Sequence, residues 1–171
     1  MLATYHHSSI PFILSIIWYI LSHMLSVAHA TTGAFISKKI APLYISLPLA
    51  LASHYLEDAI PHWDVGQGLT KGHTSKKQAF WRELLVDFPL SIILVYFLFQ
   101  AGHPFELRIW LGWFVGLLPD FIEFPKNFLT WQPWPIRQLN DFHGRFHHST
   151  PRIFYGLVPQ IALLVLFYFF R

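Results

Sequence analysis

Long apolar stretches with few charges limit what this chain can fold into more than any other feature of its sequence. The first charged residue is Lys38, and only 12% of the 171 residues are charged, compared with about 25% in an average soluble domain. A helix needs roughly 20 apolar residues to cross a bilayer, and five stretches approach this length. The first and fourth reach it only when flanking polar residues are included. The stretches cover residues 10–28, 40–56, 88–105, 109–119 and 153–170. Period-two alternation is absent, and lipid permits only helices or closed barrels. We therefore predict an all-α, polytopic integral membrane bundle of about five transmembrane helices, in which residues 1–171 form a single membrane-embedded domain.

The composition excludes cysteine chemistry and argues against nucleic acid as a partner. There are no cysteines, which excludes disulfides, thiolate metal ligands and Cys nucleophiles. The net charge of +3 is small and the Lys and Arg residues are dispersed, so we expect membrane lipid as a partner and no nucleic acid. The connections after the second and fourth apolar runs carry more Lys and Arg than the opposite side, which favours a cytoplasmic location for them. Residues 28–30 have the small-x-small form of a signal cleavage site, but no Lys or Arg precedes the apolar run, so we interpret this segment as an anchor.

A dense group of ionisable residues ends the second apolar run. An ionisable side chain inside a spanning helix costs roughly 2.5–3.5 kcal/mol on insertion scales and therefore marks a functional site. His54 and Asp58 are four residues apart and project from one helical face, and Pro61 then allows His62 and Asp64 to turn back toward that face. Imidazole and carboxylate at this spacing are typical ligands of Zn²⁺, Mn²⁺ or Fe²⁺. The alternative is a set of interfacial residues that face headgroup water.

Other ionisable residues fall at comparable places along the chain. His143 and His147 are four apart with His148 adjacent, and Asp120 and Glu123 close the fourth apolar run. At about 1.5 Å per helical residue, these groups reach similar depths, so we predict one site just inside one membrane face, on the cytoplasmic side. Its candidate metal ligands are His29, His54, Asp58, His62, Asp87, Asp120, His143, His147 and His148. His147 and His148 compete for the same role, and the sequence leaves the choice open.

These motifs carry a family resemblance. An early histidine (His29), the G-x-L-P-D motif at residues 116–120 and the H-x4-H-S motif at residues 143–149 resemble those of the bacterial inner-membrane metal-dependent hydrolases of the YdjM type. The H-x3-D pair of His54 and Asp58 is similar to the metal-binding helices of zinc-dependent phospholipase C. The resemblance implies a bacterial inner-membrane protein that binds a divalent metal and hydrolyses an ester or phosphoester. In this chain the H-x3-D element precedes the P-D element, which differs from the order expected for the YdjM type.

Together these observations predict a metal-dependent hydrolase that acts on a lipid-like substrate. The abundance of imidazole and carboxylate exceeds what one Zn²⁺ takes, so we expect one or two zinc ions, with Mn or Fe as alternatives. Asp64 and Glu123 are candidates for the general base, and Arg145 for binding a lipid phosphate. No G-x-S-x-G motif is present, which favours activated water as the nucleophile. Two alternatives stay open: a diiron lipid oxidase or hydroxylase, because residues 143–148 resemble one histidine box, and a non-enzymatic metal-ion transporter or channel.

Overall fold

The protein is helical wherever its structure is described. The computed structural model describes residues 26–63 and 75–171. Its helices are α1 (Ser26–Lys39), α2 (Leu43–Asp58), α3 (Lys76–Gln100), α4 (Leu107–Gly116), α5 (Leu118–Leu129), α6 (Trp134–His143) and α7 (Ile153–Phe170). Within these residues, extended backbone pairs only at an isolated bridge between His62 and Ser149. The prediction of an all-α fold is confirmed for the described part of the chain.

One of these helices, α3, has the dimensions of a membrane span. It is 25 residues long and apolar enough to cross a bilayer by length and composition, whereas α4 and α7 are apolar but shorter. Most of the first apolar run, residues 10–28, lies outside the described residues. The count of about five spans therefore remains a prediction.

Helix α3 also contacts the beginning of α1 through a buried carboxylate. It contains two π-helical segments, Glu83–Asp87 and Tyr96–Gln100, and the first ends at the fully buried Asp87. The Asp87 carboxylate accepts a hydrogen bond from the backbone N–H of Ser26, the first residue of α1. A carboxylate at a helix N-terminus satisfies an otherwise unpaired N–H group and complements the helix dipole. Asp87 thereby fixes the end of α1 that carries His29.

Glycines bring α1 and α4 into backbone contact. A Cβ atom on Gly33 would collide with the carbonyl group of Gly112, and one on Gly116 would collide with the carbonyl oxygen of His29. Helices approach this closely only where side chains are absent, as in the small-residue interfaces of membrane helices. The close approach brings the end of α4 against the first turn of α1.

The apolar core and the polar residues occupy opposite ends of the helices. Ala34, Val95, Phe99, Ile109 and Phe167 form a buried apolar cluster contributed by α1, α3, α4 and α7. At the other end, the first turn of α1 meets the last turns of α2, the α4–α5 junction and the end of α6. Chain direction explains this arrangement, because α2, α4 and α6 end there while α1 and α7 begin near it.

Candidate metal centre

The last turns of α2 supply the centre of the polar cluster. His54 and Asp58, one helical turn apart, are 0% and 1% exposed. The Nε2 atom of His54 lies 3.2 Å from Oδ2 of Asp58, as expected for side chains four residues apart on one helical face. A buried carboxylate requires cationic or hydrogen-bonding partners, and Asp58 obtains them from several helices.

Both oxygens of Asp58 face imidazole rings. Oδ2 lies 2.6 Å from Nε2 of His143, at the end of α6, in addition to its contact with His54. Oδ1 lies 3.3 Å from Nε2 of His29, in the first turn of α1, and 3.7 Å from Nε2 of His62, just after α2. Four histidines from three helices and a loop therefore direct the same ring nitrogen, Nε2, toward one carboxylate.

Backbone carbonyl groups hold the other ring nitrogen of two of these histidines. Nδ1 of His54 lies 2.7 Å from the carbonyl oxygen of Gly116, and Nδ1 of His62 lies 2.9 Å from that of Ile60. A carbonyl oxygen only accepts hydrogen bonds, so each Nδ1 must carry the proton and donate. In the neutral ring, Nε2 then presents a lone pair to the cluster, which is the orientation of a metal-binding histidine.

Carboxylates occupy the corresponding positions beside the other two histidines. Nδ1 of His29 lies 2.9 Å from Oε2 of Glu57, and Nδ1 of His143 lies 3.7 Å from Oε2 of Glu123. Glu123 also forms an ion pair of 2.7 Å with Lys126. Carboxylates beside the outward nitrogen of metal-bound histidines fix the ring and raise its basicity.

Two pairs of histidine nitrogens face each other directly. Nε2 of His54 lies 3.1 Å from Nε2 of His143, and Nε2 of His62 lies 3.3 Å from Nε2 of His147. Zinc–nitrogen bonds of about 2.0–2.1 Å in tetrahedral geometry place two ligand atoms about 3.3 Å apart. The observed separations therefore fit two ligands on one zinc ion.

The cluster comprises three overlapping groups that could hold a metal ion. In each group the ligand atoms lie within 4.8 Å of one another, and neighbouring groups share His54 or Asp58. The groups are His29, His54 and Asp120; His54, Asp58 and His143; and Asp58, His62 and His147. All of their members are buried except Asp120 and His147, which are half-buried.

The environment affects the protonation of the two histidines that lie beyond α2. Burial lowers the pKa of His62, which favours the neutral ring that binds metals. Burial has the same tendency at His143, but the hydrogen bond to Asp58 and the negative charges of Asp58, Asp120 and Glu123 together outweigh it and raise the pKa of His143. A metal that binds His143 must therefore displace a proton more often than at an isolated histidine.

The structure separates the roles of His147 and His148. The side chain of His148 is exposed and its Nδ1 donates a hydrogen bond of 2.6 Å to the Phe146 carbonyl. The backbone of His148 instead pairs with the end of α2: its N–H donates to the Asp58 carbonyl at 2.9 Å, and its carbonyl accepts from the His62 N–H at 3.1 Å. Because adjacent side chains of an extended segment point in opposite directions, this pairing turns His147 inward and His148 outward.

The remaining residues predicted from the sequence lie in different surroundings. Asp87 contacts the start of α1 rather than joining any of the three groups. Among the described residues of the cluster, Glu123 contacts His143, at 3.7 Å from its Nδ1. Arg145 is exposed on the turn between His143 and His147, and Asp64 lies outside the described residues.

Glu57 is a site residue that the sequence-based selection missed. Its carboxylate contacts His29, although its neighbour Asp58 faces the middle of the cluster. Its position beside Asp58 is the only feature of the sequence that points to it. Adjacent residues on a helix point about 100° apart, so the sequence does not predict that Glu57 faces the same cluster as Asp58. Its contact with His29 depends on the packing of α1 against α2.

Comparisons with protein-family models, with curated proteins and with solved structures find no match for this chain. The function of this protein must therefore be inferred from the geometry of the cluster.

Proposed function

We propose that this protein is a membrane-embedded hydrolase that uses a divalent metal to cleave an ester or phosphoester of a lipid-like substrate. One observation carries the proposal: histidines from separate elements direct Nε2 toward Asp58 while carbonyl or carboxylate groups hold their Nδ1 atoms. This combination of converging ligands and outer partners is typical of metal sites. A polar core that is lined by asparagine side chains or by water does not require its histidine rings to share one orientation.

The ligand set favours zinc and suits two ions. Imidazole and carboxylate ligands also bind Mn²⁺ and Fe²⁺, but the nitrogen separations match tetrahedral zinc. Oδ2 of Asp58 faces His54 and His143. Oδ1 faces His62, which in turn contacts His147. We infer that His54, Asp58 and His143 would hold one ion and that Asp58, His62 and His147 would hold a second.

The bound metal would supply an activated water, because coordination lowers the pKa of water toward neutrality. The chain's own residues would orient the reaction. Glu123, next to His143, and Asp64 remain our candidates for the general base. Arg145, exposed beside the cluster, is the candidate for binding a substrate phosphate.

Exposed aromatic residues on the elements that carry or follow His143 support a lipid-like substrate. Trp131 and Trp134, which precede and begin α6, are 55% and 71% exposed, and Phe154 and Tyr155 at the start of α7 are 67% and 66% exposed. Aromatic side chains of this kind are enriched at membrane–water interfaces. They lie on the elements that carry or follow His143, so we infer that the site opens near a membrane surface. The polytopic topology and the cytoplasmic side of a bacterial inner membrane belong to the same proposal.

Turnover with and without a chelator tests this function. Detergent-purified protein is incubated with a panel of phospholipids and lipid esters, before and after chelation and after readdition of Zn²⁺, Mn²⁺ or Fe²⁺. We expect hydrolysis that chelation abolishes and one of these metals restores. Turnover that chelation leaves unchanged contradicts the proposal. Oxygen consumption in place of hydrolysis would instead indicate the diiron oxidase, and metal flux through liposomes without turnover would indicate a transporter or channel.

A further inference from the structure

A cavity adjoins the metal cluster on the side of α7. It is a small, partly open recess of about 20 Å³, which is room for a water-sized polar group. His29 and His62 form its polar side, and Ile60, Pro159 and Leu163 contribute apolar walls. A ligand in this cavity would lie directly beside two of the histidines that face Asp58.

Gln160 of α7 gives this cavity a hydrogen-bond acceptor in a defined orientation. The residue is only 5% exposed and lines the cavity. Its Nε2 donates a hydrogen bond of 3.0 Å to the Trp63 carbonyl, and since a carbonyl only accepts, the amide cannot be reversed. Its Oε1 is buried and makes no hydrogen bond within the described residues. A buried acceptor left without a partner lowers the stability of the folded protein, and a ligand with a donor group would recover this loss.

Close packing of α7 keeps Gln160 in this place. Gly156, one turn earlier on α7, lies so near Trp63 that a Cβ atom there would collide with the Trp63 backbone. The contact holds the Trp63 carbonyl beside α7, where Gln160 donates to it. The orientation of Gln160 therefore results from backbone packing and does not require the ligand.

Glu57 adds a second acceptor to the same cavity. Its Oε2 lies 2.9 Å from Nδ1 of His29, and its Oε1 is buried without a hydrogen bond within the described residues. The Nδ1 donor of His62 is already used by Ile60. Acceptors thus prevail among the described lining residues, and the Glu57 carboxylate disfavours an anionic ligand group.

We propose that this cavity binds a donor-bearing polar group, a hydroxyl or a primary ammonium, of an amphiphile whose alkyl portion lies along Pro159 and Leu163. The donor group hydrogen-bonds to Oε1 of Gln160 and to the Glu57 carboxylate. The placement of a scissile bond at the adjacent metal rests on the proposed function. Binding of the donor group itself requires no metal.

Matched ligand pairs test the proposal in the wild-type protein. Monodecanoylglycerol is compared with its dimethyl ether, in which both hydroxyl groups are capped, and dodecylamine is compared with dodecyltrimethylammonium, which has the same charge but no N–H group. Binding is measured by native mass spectrometry in lauryldimethylamine oxide, a detergent without hydrogen-bond donors, on zinc-loaded and on chelator-treated protein. We expect the uncapped member of at least one pair to bind about tenfold more tightly. The pair that shows the difference distinguishes a hydroxyl from an ammonium.

A substitution of Gln160 tests whether this residue causes the preference for the uncapped ligand. Gln160→Met keeps the length of the side chain but removes the acceptor, and we expect it to reduce the preference to less than about threefold. Val165→Ala, at an exposed position of α7, is the control and should retain it. Equal binding within both pairs in the wild type, or full preference in the Gln160→Met protein, overturns the proposal. A preference without any chelator-sensitive hydrolysis would refute the proposed function alone, and hydrolysis without a preference would refute the cavity proposal alone.

Discussion

Nε2 of His54 lies 3.1 Å from Nε2 of His143, although 89 residues separate the two histidines in the sequence. His54 donates from Nδ1 to the Gly116 carbonyl, so its Nε2 carries a lone pair when the ring is neutral. That lone pair also faces Oδ2 of Asp58 at 3.2 Å and Oδ1 of Asp120 at 3.6 Å. The arrangement therefore needs a proton or a metal ion between these atoms. A separation of 3.1 Å fits an N–H···N hydrogen bond in the metal-free protein and also fits two ligands of one zinc ion.

Replacing the shared carboxylate should remove most of the bound metal. Asp58 belongs to two of the three ligand groups, and Asp58→Asn removes its charge with little change in shape. We expect metal content, measured by inductively coupled plasma mass spectrometry on desalted protein, to fall at least fivefold. Asp141→Asn is the matched control, because Asp141 is 64% exposed on α6, and it should keep the wild-type content. Unchanged metal in the Asp58→Asn protein would exclude Asp58 as a ligand of either group.

The two adjacent histidines should behave differently. His147→Ala removes a side chain whose Nε2 lies 3.3 Å from that of His62, so we expect about half of the metal to be lost if two ions bind. His148→Ala leaves the backbone hydrogen bonds of residue 148 intact, and metal content should not change. The reverse pattern would show that the segment before α7 is turned the other way.

Sequence periodicity was sufficient for the helical class and for local side-chain placement. Apolar runs predicted helices where α2, α4 and α7 are found. Spacing of four residues placed His54 and Asp58 on one face of α2, where the structure has them in contact. Both inferences depend only on helix geometry, which is independent of the rest of the fold.

Contacts set by packing could not be predicted in the same way. The orientation of His147 depends on backbone pairing between residue 148 and the end of α2, which has no sequence signature. Asp87 is predicted from the sequence as a metal ligand, but in the structure its carboxylate accepts a hydrogen bond from the N–H of Ser26 on another helix. Glu57 was missed because only the position of α1 brings His29 to it. Each case requires knowledge of which helices are neighbours.

Membrane association should resist alkaline extraction. The helix α3 is long and apolar enough to span a bilayer, and many large apolar side chains of α7 are exposed, such as Phe169 at 74%. We expect the protein to stay in the pellet when membranes are washed with alkaline carbonate and to be released by detergent. Release by carbonate alone would show that the chain does not span the membrane, and the five-helix prediction would be wrong.

A methyl group at Gly116 should damage both the packing and the site. Its Cβ would collide with the carbonyl oxygen of His29, and α4 would have to move together with the Gly116 carbonyl that orients His54. We expect Gly116→Ala to lower the stability by about 1–3 kcal/mol, as overpacking typically does, and to reduce metal content. Gly144→Ala is the control, because a Cβ there would meet the Asn140 carbonyl oxygen at an ordinary 3.4 Å. Wild-type thermal stability and metal content in the Gly116→Ala protein would contradict the tight α1–α4 contact.

The stability of the metal-free protein should depend on the protonation of His143. Its pKa is raised in the folded protein, because the hydrogen bond to Asp58 and the surrounding carboxylate charges together outweigh the effect of burial. A group whose pKa is raised on folding stabilises the folded state fully below its unfolded pKa of about 6.5, and this contribution is lost as the pH rises through the folded value. We therefore expect the melting temperature of chelator-treated protein, followed by circular dichroism, to fall as the pH rises above about 6.5.

Zinc should reverse this dependence. The metal binds the neutral ring, so its stabilising effect grows as the pH rises and protons no longer compete. His143→Gln should make the decline of the metal-free profile above about pH 6.5 less steep, whereas His103→Gln, at an exposed position outside the cluster, should leave it as in the wild type. A metal-free protein whose melting temperature rises with pH through this range would show that His143 is not held in its protonated form by Asp58.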